Sequence, residues 1–437
     1  MKDKQLHTPE GFRDFLPDEC MLKRDVIKRV EAVFTGYGYR PVSSPMLEYF
    51  EVFDKTGSTP PAQMYRLFDR EGGILTMRSD MTPPIVRIAA TNYAQDDFPL
   101  RFFYTENSFR CHESYRGRAG EFTESGVELI GASGIEAEAE IIALAIQSLL
   151  AAGIVDFKVY IEHTEFFKGI LNECTRLDDQ SVVSVMETLY TRNMAEAGKL
   201  LRSCGASPDA DRLIERLNSL TGGRKLLDEL RRMNLGASAG SAVETLLGLD
   251  DILSDYGYDQ YLFDFVPSGH LDYYTGIVFH GYARGMGFSA LDGGRYDSLP
   301  PRFGLQKCGS AVGFAIKVDN LCSILNNKLD NNGVVAPADL LLAYAPENRA
   351  MALRVASQFR AQGLIVENAF EKAHTLEEAM DVAADEQSPV DRLILRARRK
   401  NISGVVYFGE GEQVIVANAM DGTRKLTSIQ KLLREEL

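Results

Sequence analysis

Side chains able to do chemistry gather in a few short runs of this 437-residue chain. Asp80 and Thr82 set a carboxylate and a hydroxyl two residues apart, just ahead of Pro83-Pro84. Arg110 opens a charged loop that runs to Gly120 and carries Arg116 and Arg118. Glu124 and Glu128 follow, and Tyr273 and Tyr274 stand side by side further on. Carboxylates hold ammonium groups, and arginine holds carboxylates or phosphates in charge-assisted hydrogen bonds. Each residue also has a plainer explanation. Asp80 can cap a helix, and Thr82 can simply decorate its first turn. Glu128 can point from a strand into water. Paired tyrosines are ordinary sheet-face residues, and a loop arginine is usually half of a weak surface ion pair. Taken singly, these residues define no reaction.

Composition narrows the classes. The six cysteines lie far apart with no C-x-x-C pair, which argues against a zinc or redox motif. A formal net charge of -14 argues against a protein built to hold nucleic acid. The polar start, Met1 to His7, does not resemble a secretory signal, and no apolar run reaches the roughly 18 residues of a membrane span. A cytoplasmic protein with reduced thiols is expected.

The elements that must position these residues can be read from periodicity. Asp18 is placed to cap a helix in which Leu22, Val26, Val30 and Val33 recur at helical spacing up to Gly36. Met64–Phe68 and Ile74–Met77 read as a hairpin, and Thr82-Pro83-Pro84 opens a helix. Leu100–Thr105 and Glu121–Ile130 read as strands around the charged loop, followed by a helix from Ile135 to Ala152 and a strand with Phe157, Val159 and Ile161. Thr164 to Tyr256 is expected to be all helical, with polar breaks that include Thr221-Gly222-Gly223. Strands resume at Tyr261–Val266, Tyr273–Tyr282, Gly287–Asp292 and Gly309–Val312, and Ile316–Leu325 closes the domain as a helix. This mixture predicts an α+β antiparallel sheet with flanking helices and a helical insertion at about 164–256. The expected boundaries are 1–325 for this domain, 326–332 for a polar linker and 333–437 for a small α/β domain with a helix near Leu376.

Several runs, in order and across nearly the whole chain, resemble histidyl-tRNA synthetases, of the class II synthetase fold. They are Pro9–Pro17, Ser79–Thr82, Phe109-Arg110, Gly126–Glu128, Leu271–Gly276, Gly293–Asp297 and Ala311–Ala315. The helical insertion and the C-terminal domain fall where bacterial members carry an insertion and an anticodon-binding domain. The resemblance implies a pocket for free histidine. Asp80 and Thr82 would hold its ammonium group, Glu128 would face its imidazole with Tyr274 beside it, Tyr273 would belong to the same histidine-binding set, and Arg110 would bind in the family's α-phosphate and carboxylate region. Glu124 falls where the family has a glutamine. A second carboxylate there would hold ammonium more strongly and repel phosphate.

The resemblance breaks where ATP chemistry is done. Gly269 occupies the position of the family's arginine before Gly-Leu-Asp-Tyr-Tyr, with His270 at the following glycine. Asn320 replaces the third-motif arginine that clamps ATP, and Gly120 stands where the second-motif loop often has another arginine. Loss of one such electrostatic stabiliser costs about 10²–10³ in rate.

A chain that keeps histidine and drops ATP is similar to the ATP phosphoribosyltransferase regulatory subunits. Met81–Pro84, Glu121-Phe122-Thr123 and Tyr274–Phe279 with Gly281-Tyr282 look closer to that family than to active synthetases. The resemblance implies a non-catalytic histidine-biosynthesis subunit without cofactor or metal. It would bind L-histidine for feedback control and activate a short-form ATP phosphoribosyltransferase catalytic subunit in a hetero-oligomer. A divergent histidine–tRNA ligase is the alternative. Homodimerisation through Gly38–Glu48 is expected. Many members of the family lack the C-terminal domain that this chain keeps. Its Arg392, Arg396, Arg398, Arg399 and Lys400 read as a solvated helix end in preference to an RNA patch, so tRNA is not an expected partner.

Overall fold

The computed structural model describes residues 4–54, 56–57, 59–112, 119–172, 179–191, 193–203, 213, 216, 219–266, 274–326, 337–370, 389–409 and 411–432. The chain divides into two compact units, Met1–Asn332 and Gly333–Leu437.

The first unit carries β1 (Arg40–Pro41), β2 (Leu47–Tyr49), β3 (Arg66–Phe68), β4 (Ile74–Met77), β5 (Leu100–Phe109), β6 (Glu121–Ile130), β7 (Phe157–His163), β8 (Thr221–Gly222), β9 (Tyr261–Asp264), β10 (Ile277–Ala283), β11 (Leu291–Arg295) and β12 (Ala311–Lys317). Nine of them form one sheet in the order β1-β5-β6-β12-β11-β10-β7-β9-β8, while β2, β4 and β3 form a separate three-stranded sheet. The large sheet is antiparallel through its centre, with parallel pairings only at β1–β5 and β7–β9.

Alternation along the central strands sends successive side chains to opposite faces. One face packs on helices: Phe34, from the Pro17–Gly36 helix, meets Phe103 at a tilt and Phe314 edge-on. The Ile135–Ala151 helix is buried almost throughout, because it packs against β12 and the Pro17–Gly36 and Gly236–Asp255 helices. The other face carries Phe102, Tyr104 and Ile130, covered by Met81, Ile85 and Ala89 at and within the Thr82–Asn92 helix. Glu124 and Glu128 share the parity of Ile130, so they lie on that second face.

Several expectations need correction, among them the helix expected from Ile316, which begins at Val318 because β12 continues through Lys317. The first helix begins at Pro17, with Leu16 as N-cap, and the carboxylate that meets the N-cap amide is Glu19, not Asp18. The region 164–256 is not wholly helical, because Thr221-Gly222 pairs with β9 as an edge strand. The strand expected from Tyr273 begins at Ile277. The strand expected at Gly287–Asp292 runs instead from Leu291 to Arg295, through the two glycines that look like a break. Gly294 belongs inside it because a Cβ there would stand 2.7 Å from the Tyr274 ring.

The second unit is a sheet in the order β14 (Val366–Asn368), β13 (Leu340–Tyr344), β15 (Gly404–Phe408), β16 (Gln413–Asn418), β17 (Arg424–Ser428). Leu341, Val405 and Tyr407 meet Val390, Leu393 and Ala397 of the Pro389–Arg399 helix. Leu340, Leu342 and Val406 meet Ala352, Val355 and Phe359 of the Arg349–Ala361 helix on the other side. Burial on both faces explains the unbroken apolar run of β13. β17 has no apolar alternation and is absent from the sequence reading. The helix expected near Leu376 and residues 327–332 of the expected linker lie outside the described residues.

Candidate functional site

Arg78 ends the link from β4, and the turn Ser79–Met81 carries the chain into the Thr82–Asn92 helix. Asp80 Oδ1 accepts the Thr82 amide at 3.0 Å, which fixes the carboxylate beside the helix start; the N-cap position is Met81 and has no side-chain cap, so Asp80 is not the helix cap that its type suggests. The Thr82 hydroxyl donates to Glu128 Oε1 at 2.8 Å. The Tyr296 hydroxyl donates to the other oxygen of the same carboxylate. Glu128 is 1% exposed and is not the solvated strand residue that its type suggests. Room for it comes from its neighbour across the strand pair, Gly313. A Cβ at Gly313 would overlap the Glu128 carboxylate.

Glu124 lies two pleat repeats back along β6, also buried, and accepts from the Ser108 hydroxyl at 2.7 Å. Arg110 donates through Nε to the Ser79 carbonyl at 2.9 Å and lies over the Phe122 ring, 5.3 Å from its centroid. Tyr274 packs over Gly294. Asp80, Glu124, Glu128, Arg110 and Tyr274 interact electrostatically as one group, with Thr82 bonded into it. Tyr273, Gly269 and His270 lie outside the described residues.

The electrostatics follow from burying anions together. Burial raises the Glu128 carboxyl to about 8, against the hydrogen bonds from Tyr296 and Thr82 that favour ionisation, with Asp80 and Glu124 adding to the rise. Burial likewise raises Glu124, with Arg110 pulling the other way and Asp80 reinforcing it. Tyr274 is held well above the ordinary phenol range by burial and then by Asp292, Asp80 and Glu128. Such a pocket stores unfavourable negative potential. A ligand with an ammonium group and a protonatable ring relieves it, whereas a phosphate adds to it.

Three residues of this site escaped the sequence reading. Tyr296 sits in the quoted Gly293–Asp297 run but carried no assignment. Gly313 and Ser108 become visible only through strand register. A second polar group lies further along the same sheet face. Asp292 Oδ1 meets His280 Nδ1 at 2.7 Å, and its Oδ2 meets Lys317 Nζ at 2.5 Å. Lys317 also donates to the Ser289 hydroxyl at 2.6 Å. The Asp292 carboxyl is held far below the usual range, since Lys317 and His280 overcome its burial. Asn320, at the expected clamp position, donates to the Ser289 carbonyl at 3.2 Å. Beside this face lies a cavity of about 730 Å³ lined by Arg13, Arg110, His112, Phe122, Lys317 and Asn320, among others. Among the described residues no cluster of His, Cys, Asp or Glu is arranged to hold a metal ion, and no helix is long and apolar enough to cross a membrane.

The fold and this pocket place the molecule in the histidyl-tRNA synthetase class. The family model described as Histidyl-tRNA synthetase matches residues 11–321. The histidyl-tRNA synthetase structure from Nostoc sp. PCC 7120 shares the fold, with TM-score 0.77 at 21% identity over 98% of this chain and 99% of that one. Within the class, the similarity is more specific. A protein of Ruminiclostridium cellulolyticum named ATP phosphoribosyltransferase regulatory subunit is 31% identical over 99% of both chains. One of the same name from Clostridium kluyveri is 35% identical over 84% of this chain and 94% of its own. A structure from Bacillus halodurans C, described as an ATP phosphoribosyltransferase regulatory subunit/histidyl-tRNA synthetase, has TM-score 0.77 at 29% identity, covering 92% of this chain and 98% of that one. The chain belongs to the family of ATP phosphoribosyltransferase regulatory subunits.

Proposed function

We propose that this chain is a non-catalytic, histidine-sensing subunit that joins and controls a short-form ATP phosphoribosyltransferase catalytic subunit in the cytoplasm. The observation that carries the reading is a group of three carboxylates, the buried Glu124 and Glu128 with the half-buried Asp80, facing one arginine, Arg110. Asp80 and Glu124 take the ligand's ammonium group, Arg110 its carboxylate, and Glu128 with Tyr274 and Tyr273 its imidazole. No cofactor or metal enters this account. The cations that adenylate formation requires are few here. Asn320 is neutral, Gly269 has no side chain, and Lys317 is already paired with Asp292. The names of its full-length relatives support a regulatory role in histidine biosynthesis.

The chain pairs with a second copy of itself within the hetero-oligomer. Supporting this is the exposed apolar surface of the small sheet, where Met46, Leu47, Tyr49 and Leu67 are 41–63% exposed. One observation favours the second reading, a divergent histidine–tRNA ligase: the cavity beside the pocket is roomy and lined by Arg13, Arg110 and Phe122.

Reconstitution separates the two. The catalytic subunit assayed alone, with this chain, and with this chain plus histidine is expected to show activation and then histidine-dependent inhibition. Glu128→Gln should retain the activation and lose the inhibition. A chain that leaves the catalytic subunit unaffected but charges tRNA with histidine would establish the ligase.

A further inference from the structure

Lys317 has a carboxylate on either side of it and holds only one of them. On the antiparallel pair of β12 and β6 it stands directly opposite Glu124, on the face that carries the ligand pocket. Opposed residues on such a pair have Cβ atoms about 4.5–5.5 Å apart, a gap that a lysine side chain spans. Yet Lys317 turns the other way, toward β11. Its ammonium meets Asp292 Oδ2 at 2.5 Å and donates to the Ser289 hydroxyl at 2.6 Å. That hydroxyl donates in turn to Asp292 Oδ2 at 3.0 Å, which closes a triangle. His280, directly across from Asp292 on β10, meets the other carboxylate oxygen through Nδ1 at 2.7 Å and fixes the carboxylate in place.

The direction that Lys317 takes matters because of where Glu124 stands. Glu124 is 6% exposed, is held by the Ser108 hydroxyl, and shares its group with Asp80 and Arg110. In the reading above it takes the ligand's ammonium group together with Asp80. A lysine ammonium and a ligand ammonium offer the same charge and the same kind of donor. In a buried site two such cations repel, so either one on Glu124 disfavours the other. Lys317 is felt at Glu124 even from its place beside Asp292. Burial raises the Glu124 carboxyl, and Arg110 and, more weakly, Lys317 are cations that oppose the rise.

We propose that Asp292 is a positioning residue that keeps the ammonium subsite open by drawing Lys317 away from Glu124. With Asp292 in place, an ionised carboxylate and a hydroxyl hold Lys317, and Glu124 is left for the ligand. Without the Asp292 charge, Glu124 directly opposite becomes the anion that Lys317 pairs with, and the side chain competes with histidine there. The apparent affinity of a site falls with the fraction of molecules in which it is free, so a Lys317 seated on Glu124 in about nine molecules of ten weakens histidine about tenfold. The inference rests on the histidine reading of the pocket and adds to it the device that holds the site accessible.

The test is a double-mutant cycle on the full chain, with L-histidine affinity measured by calorimetry. Asp292→Asn keeps the shape, removes the charge, and is expected to weaken histidine about tenfold. Lys317→Met removes the competitor and is expected to bind histidine at about the parental strength, both alone and combined with Asp292→Asn. Rescue by the second substitution is a result that a merely structural role for Asp292 does not give. If Asp292→Asn fails to fold, Ser289→Ala releases one anchor of Lys317 and is expected to weaken histidine by a smaller factor, which Lys317→Met again cancels. Parental affinity in Asp292→Asn overturns the proposal and leaves the histidine reading intact. An affinity that stays low in the double variant also overturns it, because Asp292 then acts on the pocket without Lys317, through the neighbouring Tyr274. A parent chain that binds no histidine removes the histidine reading itself, and the proposal with it.

Discussion

Glu128 is the residue on which the most depends. A carboxyl held neutral near pH 7 by burial, with Thr82 and Tyr296 on its two oxygens, is poised to ionise when a cationic ring arrives. Below about pH 6, where the imidazole arrives already protonated, histidine binding is therefore expected to release a proton from this group. Calorimetry in two buffers of different ionisation enthalpy reads that release, and identical heats in both would remove it. Glu128→Gln should weaken histidine by about 10–150-fold, the loss of a hydrogen bond to a charged group worth about 1.5–3 kcal/mol. The same residue shapes stability in the ligand-free chain. Between the ordinary carboxyl value of 4.5 and its raised value of about 8, the folded chain holds a proton that the unfolded chain has released. Its contribution is therefore fully present below 4.5 and is lost as the pH rises through 8. Denaturant titrations from pH 5 to 8 should show this decline in the parent and a shallower one in Glu128→Gln.

At the scale of elements, strand register makes the site. Glu124 and Glu128 reach one face of β6 by parity, and Gly313 on β12 leaves the space that Glu128 fills. Gly313→Ala should displace that carboxylate, lowering stability by about 1–3 kcal/mol as overpacking does and removing histidine binding. Normal calorimetric binding by this variant would mean that the pocket does not depend on the β6–β12 contact. Much of this layer was legible in the chain. Alternation marked β5 and β6, Thr82-Pro83-Pro84 marked the helix start, and Asp80, Thr82, Arg110, Glu124 and Glu128 were picked out before any geometry. What failed to show has physical causes. Glycine reads as a break, yet Gly293-Gly294 runs through the middle of β11, where partners approach too closely for a Cβ. A two-residue strand such as β8 has no period, and β17 is a charged edge with nothing to alternate. Tyr296 and Gly313 act through neighbours distant in sequence, and periodicity carries no information about pairing. The first helix hides its cap for a different reason: Glu19 reaches back to the Leu16 amide, and proline occupies the first turn.

The whole molecule pairs a histidyl-tRNA synthetase-like unit with a small α/β unit whose basic residues are largely engaged within it. Arg396 and Lys400 both meet Glu367, Arg424 meets Asp391, and Arg398 donates to the Ala419 carbonyl. Affinity for a phosphate backbone grows with the number of cations free to displace counterions. With these committed and a net charge of -14, the full chain should show no shift of tRNA at physiological salt, and a specific, salt-sensitive complex would contradict that. The central claim is that the molecule holds histidine and does not activate it. The most direct test is calorimetry of the purified chain with L-histidine and, separately, with ATP and magnesium, followed by a histidine-dependent pyrophosphate-exchange assay. The account predicts saturable histidine binding, no exchange, and ATP binding that is weak and antagonised by the carboxylates. Tight binding of both ligands with pyrophosphate exchange would contradict it and make the chain an active synthetase despite Gly269 and Asn320.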